Sequence, residues 1–227
     1  MNEIKAIIFD LDGTLIDSMY VWRKIDIDFL AERGLKVPPD YEQAIKTMHF
    51  ETAAEYTIAR FGFKETPQEI MSIWLNMALN EYAHNVRLKD NAEELLKRLK
   101  SLSVKIGIAT SSKPILAEPV LKNNGVYDYF DTICCTSEVG VDKRHPDIYL
   151  LTAKKLGVKP EECIVFEDII DGINGAKLAG MKTIAVYDEG SADDVEVLKS
   201  IADKYIYSFT ELLLSLIHIS EPTRLGM

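Results

Sequence analysis

Near its start the chain runs through Ile4, Ala6, Ile7, Ile8 and Phe9 and then breaks into Asp10-Leu11-Asp12-Gly13-Thr14. The run is short, β-branched and without a polar face, the pattern of a parallel strand buried on both sides. Residues i and i+2 at a strand end point the same way. The carboxylates of Asp10 and Asp12 should therefore converge at the carboxyl edge, where open α/β sheets bind ligands. Plain turn chemistry competes with this reading, since Asp12-Gly13 suits a turn and Asp10 can simply end the strand. A calcium loop fits less well, because Gly13 follows Asp12 directly instead of after a third ligand position. Asp26 and Asp28 repeat the spacing within the helical stretch 22–33. Two steps of about 100° spread that pair around a helix, so it is expected to be solvated surface.

Further short β-branched runs occupy 104–109, 132–136, 163–166, 183–187 and 205–207. Helical patterns at 92–102, 114–123, 147–156 and 172–179 lie between them. Strands alternating with helices of this length predict right-handed βαβ units and a doubly wound parallel α/β sheet. One segment breaks the alternation. From Ser18 to Leu88 there is no strand pattern, only helical stretches at 19–33, 41–47, 52–61 and 67–84, separated by Pro38-Pro39 and Gly62. This predicts a Rossmann-like core over 1–17 and 89–215 with an inserted helical cap domain over 18–88. An insert after the first strand's loop hangs over the carboxyl edge, placed as a lid.

With 227 residues and 47% hydrophobic composition, the chain can bury a sizeable core. A formal charge of −10 argues against nucleic acid and anionic membranes as partners, both of which call for clustered Lys and Arg. An anionic ligand must then be held by local groups. Cys134, Cys135 and Cys163 fall in apolar runs and read as buried thiols of a reducing compartment. No secretory pattern precedes the first strand, and 212–219 is far short of the ~20 apolar residues of a membrane span. The expectation is a cytoplasmic protein, monomeric or weakly dimeric. Residues 216–227 have a non-native look: the stretch from Ser215 to Arg224 resembles translated sequencing-adaptor read-through and, with His218, is set aside.

A ligand at the sheet edge touches several strand ends, so the others should carry matching chemistry. After the second long strand comes Thr110-Ser111-Ser112-Lys113-Pro114, where hydroxyls, free N–H groups and a proline suited to the first turn make an anion-binding helix start. After the third comes the cationic loop Asp142-Lys143-Arg144-His145. The fourth ends in Glu167-Asp168. Singly, Ser112 reads as an N-cap, Lys143 as a surface lysine, and Glu167-Asp168 as the polar start of a helix. Together they form a site in which carboxylates hold Mg²⁺ while lysine and hydroxyl hold a phosphate. Zinc is disfavoured, with no Cys or His cluster at ligand spacing.

As an ordered set, Asp10-Leu11-Asp12-Gly13-Thr14-Leu15, Thr110, Lys143 and Glu167-Asp168 resemble the four signature motifs of the haloacid dehalogenase superfamily. The position of the insert resembles that of its helical-cap branch, which includes enzymes similar to β-phosphoglucomutase and phosphoglycolate phosphatase. The resemblance implies a Mg²⁺-dependent phosphatase acting on a small phosphorylated metabolite through an aspartyl-phosphate. By it Asp10 is the nucleophile, and Asp12 is the acid for the leaving oxygen and then the base for water. Thr110 and Lys143 bind the phosphoryl group. Asp10, the backbone carbonyl of Asp12, and Asp168 ligate the metal, with Glu167 in its outer shell.

Relatives that break carbon–halogen or carbon–phosphorus bonds lack an acid at the position of Asp12, which favours phosphoryl transfer. A sugar phosphomutase similar to β-phosphoglucomutase is the alternative, and a phosphate- and Mg²⁺-binding module without turnover is another. The mutase's cap histidine and arginine align loosely with Trp22 and Phe50, leaving no cap cation for a second phosphate. Ser111, Ser112 and Arg144 are candidates for substrate binding at the core. Tyr20, Trp22, Arg23, Lys46 and His49 are candidates in the cap, where packing is the competing role for the aromatics and a structural one for His49. The lysine loop departs from the family's usual Gly-Lys-Pro, and Ile169 replaces a frequent Ser.

Overall fold

The protein is described by a computed structural model covering residues 3–46 and 48–213; the tail 216–227 and Thr47 lie outside the described residues. The first apolar run forms β1 (Ala6–Phe9). Ala6 and Ile8 pack into one core cluster and Ile7 and Phe9 into another, so the strand is buried on both faces. A two-residue strand, β2 (Ile16–Asp17), leads into four helices: α1 (Tyr20–Ala31), α2 (Tyr41–Ile45), α3 (Phe50–Phe61) and α4 (Pro67–His84). The return strand β3 (Arg87–Leu88) pairs antiparallel with β2, closing a short ribbon at the base of the insert. These two strands went unread in the sequence because two residues carry no period.

After α5 (Ala92–Ser101), the chain alternates through β4 (Lys105–Thr110), α6 (Pro114–Asn123), β5 (Thr132–Cys135) and α7 (Asp147–Leu156). It continues with β6 (Cys163–Glu167), α8 (Ile170–Leu178), β7 (Lys182–Val186), α9 (Val195–Ile201) and β8 (Lys204–Ile206). The six long strands form one parallel sheet in the order β5-β4-β1-β6-β7-β8, as the alternation predicts. The chain builds outward on one side of β1 and then fills the other, so β1 stands between the two halves. Register does the rest. Phe9 is level with Ile108 and with Phe166, so Asp10 comes level with Glu167, and Thr110 and Asp168 stand one residue further out. Phe9 and Phe166 stack with ring centroids 4.8 Å apart just beneath that edge.

The insert has its own reasons to be helical. Helix α4 opens with a capping box, Thr66 Oγ1 accepting from Glu69 N–H while the Glu69 carboxylate accepts from Thr66 N–H, and Pro67 fills the first turn. Helix α3 ends at Gly62, whose φ of +70° is cheap only for glycine. Trp74 packs against Phe29 and Phe50, each at 5.6 Å. This apolar interior is continuous with the core face beneath, and α4 packs along α6.

Two expectations change. Asp26 is half-buried where α1 meets the insert's interior, not solvated: burial, then the neighbouring Glu42, pushes its carboxyl up to about 7. Ser112 does not cap α6, because the N-cap position belongs to Lys113 and the Ser112 hydroxyl is engaged elsewhere. The three cysteines are free and buried, and burial pushes the Cys135 and Cys163 thiols up to about 11. Among the described residues, no helix is long and apolar enough to cross a membrane.

Candidate active site

The sheet edge gathers a compact ionic cluster. The Lys143 ammonium bonds to Oδ1 of Asp10 and lies 2.5 Å from Oε1 of Glu167, which also accepts from the Tyr149 hydroxyl at 2.9 Å. Thr14 Oγ1 donates to Asp168 Oδ1 at 2.8 Å. Carboxylate oxygens of Asp10, Glu167 and Asp168 lie within 4.8 Å of one another, and all three residues are buried. Three carboxylates and one ammonium in a dry place leave an excess of negative charge. Accordingly Asp10 is raised well above the usual carboxylate range, by burial chiefly, against the pull of Lys143. Asp168 is pushed up to about 7, by burial and then by Glu167. Burial opposes the charge of Lys143, yet Asp10 and Glu167 outweigh it and hold the ammonium's pKa above its ordinary value.

Glycines make this closeness possible. A Cβ on Gly13, whose φ is +80°, would stand 2.4 Å from Asp168 Oδ2. On α8, a Cβ at Gly172 would lie 2.2 Å from Glu167 Cδ, and one at Gly175 would lie 1.9 Å from the Lys143 carbonyl oxygen. Helix α8 therefore presses directly on the carboxylate and on the lysine loop. Ile8, Tyr149 and Ala176 close the apolar layer below them.

Asp12 stands apart from this cluster, so the two aspartate carboxylates do not converge as their i, i+2 spacing predicts: the chain turns at Gly13, and Asp12 is bonded to hydroxyls instead. Its Oδ1 accepts from the Tyr82 hydroxyl at 2.5 Å and the Ser18 hydroxyl at 2.8 Å, and its Oδ2 from the Ser112 hydroxyl at 2.5 Å. Tyr82 belongs to α4 of the insert, Ser18 to the link between β2 and α1, and Ser112 to the core. Thr110 is buried, and its hydroxyl accepts from Ser112 N–H at 2.9 Å, which folds the loop toward Asp12. Ser111 is exposed beside it.

The other candidates divide. Trp22 meets Phe50 edge-on at 5.7 Å, and the Lys113 ammonium lies 5.0 Å from the Phe50 ring centroid, so the insert's aromatic pair reaches the loop that holds Asp12. His49 is exposed at the start of α3 and makes no cap bond, and Lys46 is exposed. Arg23 pairs with Glu42 at 3.1 Å. With Tyr20 it lines a separate cavity of about 670 Å³, whose walls include Lys89 and Asp188 but not Asp10, Asp12 or Lys143. The Arg144 guanidinium turns to Asp142 at 2.6 Å on the exposed side of the loop, and that contact holds the Asp142 carboxyl down at about 2. The sequence reading missed Thr14, Ser18, Tyr82, Lys113 and Tyr149. Thr14 and Ser18 flank the aspartate pair and were within reach, whereas Tyr82 and Tyr149 look like ordinary apolar-face residues of helices.

The chain matches the family model for haloacid dehalogenase-like hydrolases over residues 4–180. It belongs to that family, as the order of its motifs and its Rossmannoid α/β fold both indicate. It is 28% identical to hexitol phosphatase B of Escherichia coli (strain K12) over 213 residues, which is 93% of this chain and 95% of that one. Glyceraldehyde 3-phosphate phosphatase of Pyrococcus furiosus is 30% identical over 230 residues, covering 94% of this chain and 93% of the relative. Among solved structures, β-phosphoglucomutase from Clostridium difficile superposes with a TM-score of 0.70 at 25% identity, over 95% of this chain and 96% of that one.

Proposed function

We propose that the protein is a Mg²⁺-dependent phosphatase that hydrolyses a small-metabolite phosphate monoester through a phosphorylated Asp10. The carrying observation is the division of labour between two carboxylates two residues apart: Asp10 is buried against Lys143, and Asp12 is held by hydroxyls outside that cluster. The Asp10 carboxylate forms a bond to phosphorus as the P–O bond to the alcohol breaks, and Asp12 gives its proton to the departing oxygen. Water then attacks the same phosphorus, Asp12 takes its proton, and Asp10 is regenerated with release of phosphate. Lys143 and the Thr110 loop, with its hydroxyl and N–H groups, hold the phosphoryl oxygens.

The residues present fit a divalent ion, because three clustered carboxylates exceed the one ammonium and an all-oxygen donor set suits a hard cation. Asp10, Asp168 and the Asp12 carbonyl would hold it, with Glu167 behind them. When bound it supplies positive charge that keeps Asp10 ionised and offsets its repulsion from a phosphate dianion. The insert covers this edge as a cap, and Trp22, Phe50 and Lys113 stand where the alcohol portion would be met. Full-length relatives are named for phosphatases acting on small sugar and polyol phosphates, which supports the same substrate class. Transfer to a second sugar position, as in a mutase, is less favoured because the insert offers the uncharged Trp22 and Phe50 where the mutase's cap histidine and arginine loosely align, which leaves Lys113 of the core loop as the cation beside them. A binding module without turnover has no use for a second carboxylate kept outside the cation cluster.

The test is release of inorganic phosphate from a panel of sugar, polyol and aryl phosphates, by wild type and Asp10→Asn, with Mg²⁺ and with EDTA. Turnover that needs both Mg²⁺ and Asp10 is expected. Equal rates for the two proteins would refute the reading.

A further inference from the structure

We propose that Tyr82 is a positioning residue for Asp12: from the helical insert, its hydroxyl sets where the leaving-group acid stands. The inference rests on the phosphatase reading above and concerns a residue that belongs to none of the four core motifs.

The ring and the hydroxyl of Tyr82 have separate explanations. The ring is 2% exposed and packs within the apolar core shared by insert and sheet, a role that phenylalanine would fill equally well. The hydroxyl has a different partner. It lies 2.5 Å from Asp12 Oδ1, a short bond of the kind a hydroxyl makes to a carboxylate. Asp12 sits directly before Gly13, whose φ is +80°, and its carboxyl projects from that turn onto three hydroxyls. Its carboxyl is therefore aimed by what it bonds to. Ser18 and Ser112 contribute from the chain segments beside the turn, and Tyr82 alone of the three reaches in from α4. It draws the carboxyl toward the insert, the side on which the alcohol portion of a substrate would lie.

The anchor is firm. Helix α4 packs along α6, and Asn124 at the end of α6 ties down the segment that follows α4, its Nδ2 donating to the Val86 carbonyl at 3.0 Å and its Oδ1 accepting from Leu88 N–H at 3.2 Å. Tyr82 thus reaches Asp12 from a helix end fixed to the core. An acid displaced by even a fraction of an ångström from the leaving oxygen loses much of its catalytic effect. The hydroxyl should therefore matter for esters whose alcohol needs a proton to depart, and hardly at all for those whose alcohol does not.

The experiment compares Tyr82→Phe with the wild type in the full chain, using kcat/KM, which reads the steps through departure of the alcohol. One substrate is an alkyl phosphate such as glycerol phosphate. The other is 2,4-dinitrophenyl phosphate, whose phenolate leaves unprotonated. The expected result is a fall of about tenfold or more in the alkyl-to-aryl ratio, a part of the ~10²- to 10⁴-fold range of general acid catalysis. Partial unfolding scales both rates alike and cancels from the ratio. An unchanged ratio overturns the proposal, whether both rates fall together or neither falls. In an Asp12→Asn background the same substitution should alter the ratio less than twofold, since the group it positions is gone; a full additive loss there also overturns it. The phosphatase reading is judged separately, by wild type against Asp10→Asn on the aryl ester.

Discussion

The two sides of the site are built from different materials. Around Asp10 every charged group comes from a strand end or a loop of the sheet, and all are buried together. Around Asp12 the partners are neutral hydroxyls from three segments, one of them outside the sheet altogether. The first arrangement concentrates charge and calls for a cation. The second keeps a carboxyl poised and ties its position to the seating of the insert. Two residues of chain separate the two environments, so backbone proximity did not decide them; the direction of each side chain did.

The largest test of this contrast is to neutralise each aspartate in turn. Asp10→Asn is expected to lower turnover of every ester by several orders of magnitude, since it removes the proposed nucleophile. Asp12→Asn is expected to cost ~10²- to 10⁴-fold in kcat/KM on alkyl esters and much less on 2,4-dinitrophenyl phosphate, since kcat/KM reads the steps through departure of the alcohol and not the later attack of water. Loss of equal size on both esters from both variants would erase the distinction. Binding of Mg²⁺, followed by calorimetry, should survive in Asp12→Asn, where the backbone carbonyl is kept, and weaken in Asp168→Asn.

A smaller effect sharpens the account of the charged side. Gly172→Ala places a methyl 2.2 Å from Glu167 Cδ, and relief requires moving α8 or the carboxylate. Destabilisation of about 1–3 kcal/mol is expected in denaturant melts, with a loss of activity larger than the stability change alone would give.

The smallest effect concerns Asp26, the residue whose spacing to Asp28 matches that of Asp10 and Asp12. Its folded carboxyl is raised to about 7 by burial, so the folded state holds its proton more tightly than the unfolded chain does. Protonated Asp26 costs nothing below about pH 4. As pH climbs from there through 7 the folded state must bury a charge, and stability falls. Asp26→Asn is therefore expected to melt higher than wild type at pH 8, with the gain shrinking toward pH 4. A gain independent of pH would break the assignment.

Much of this is legible in the amino-acid sequence. The β1 run, the parallel alternation and the placement of Thr110, Lys143 and Glu167-Asp168 after strands follow from local pattern, because a strand buried on both faces and a polar turn after it leave an unmistakable composition. The competing reading of Ser112 as a cap fails, and the sequence could not exclude it, because an N-cap and a carboxylate partner call for the same hydroxyl at a loop's end. Asp26 was misread because helical periodicity gives the angle around an axis but not what the facing helix brings. Tyr82 and Tyr149 carried no signal at all: a tyrosine on an apolar helix face is the same letter whether its hydroxyl meets water or a buried carboxylate.

The amino-acid sequence by itself thus determined the order of the strands' contents, the insertion of helices after the loop of β1, and the identity of the charged groups at the sheet edge, since these depend on residues within a few positions of one another. The tertiary structure decided which carboxylate would be dry and crowded with charge and which would be held by hydroxyls. That outcome depends on strand register, on α8 lying against Glu167 without a Cβ between them, and on α4 ending where Tyr82 meets Asp12. The bonds of Thr14 to Asp168, Tyr82 to Asp12 and Lys143 to Asp10 join residues 70 to 154 apart in the chain, and no local pattern records them.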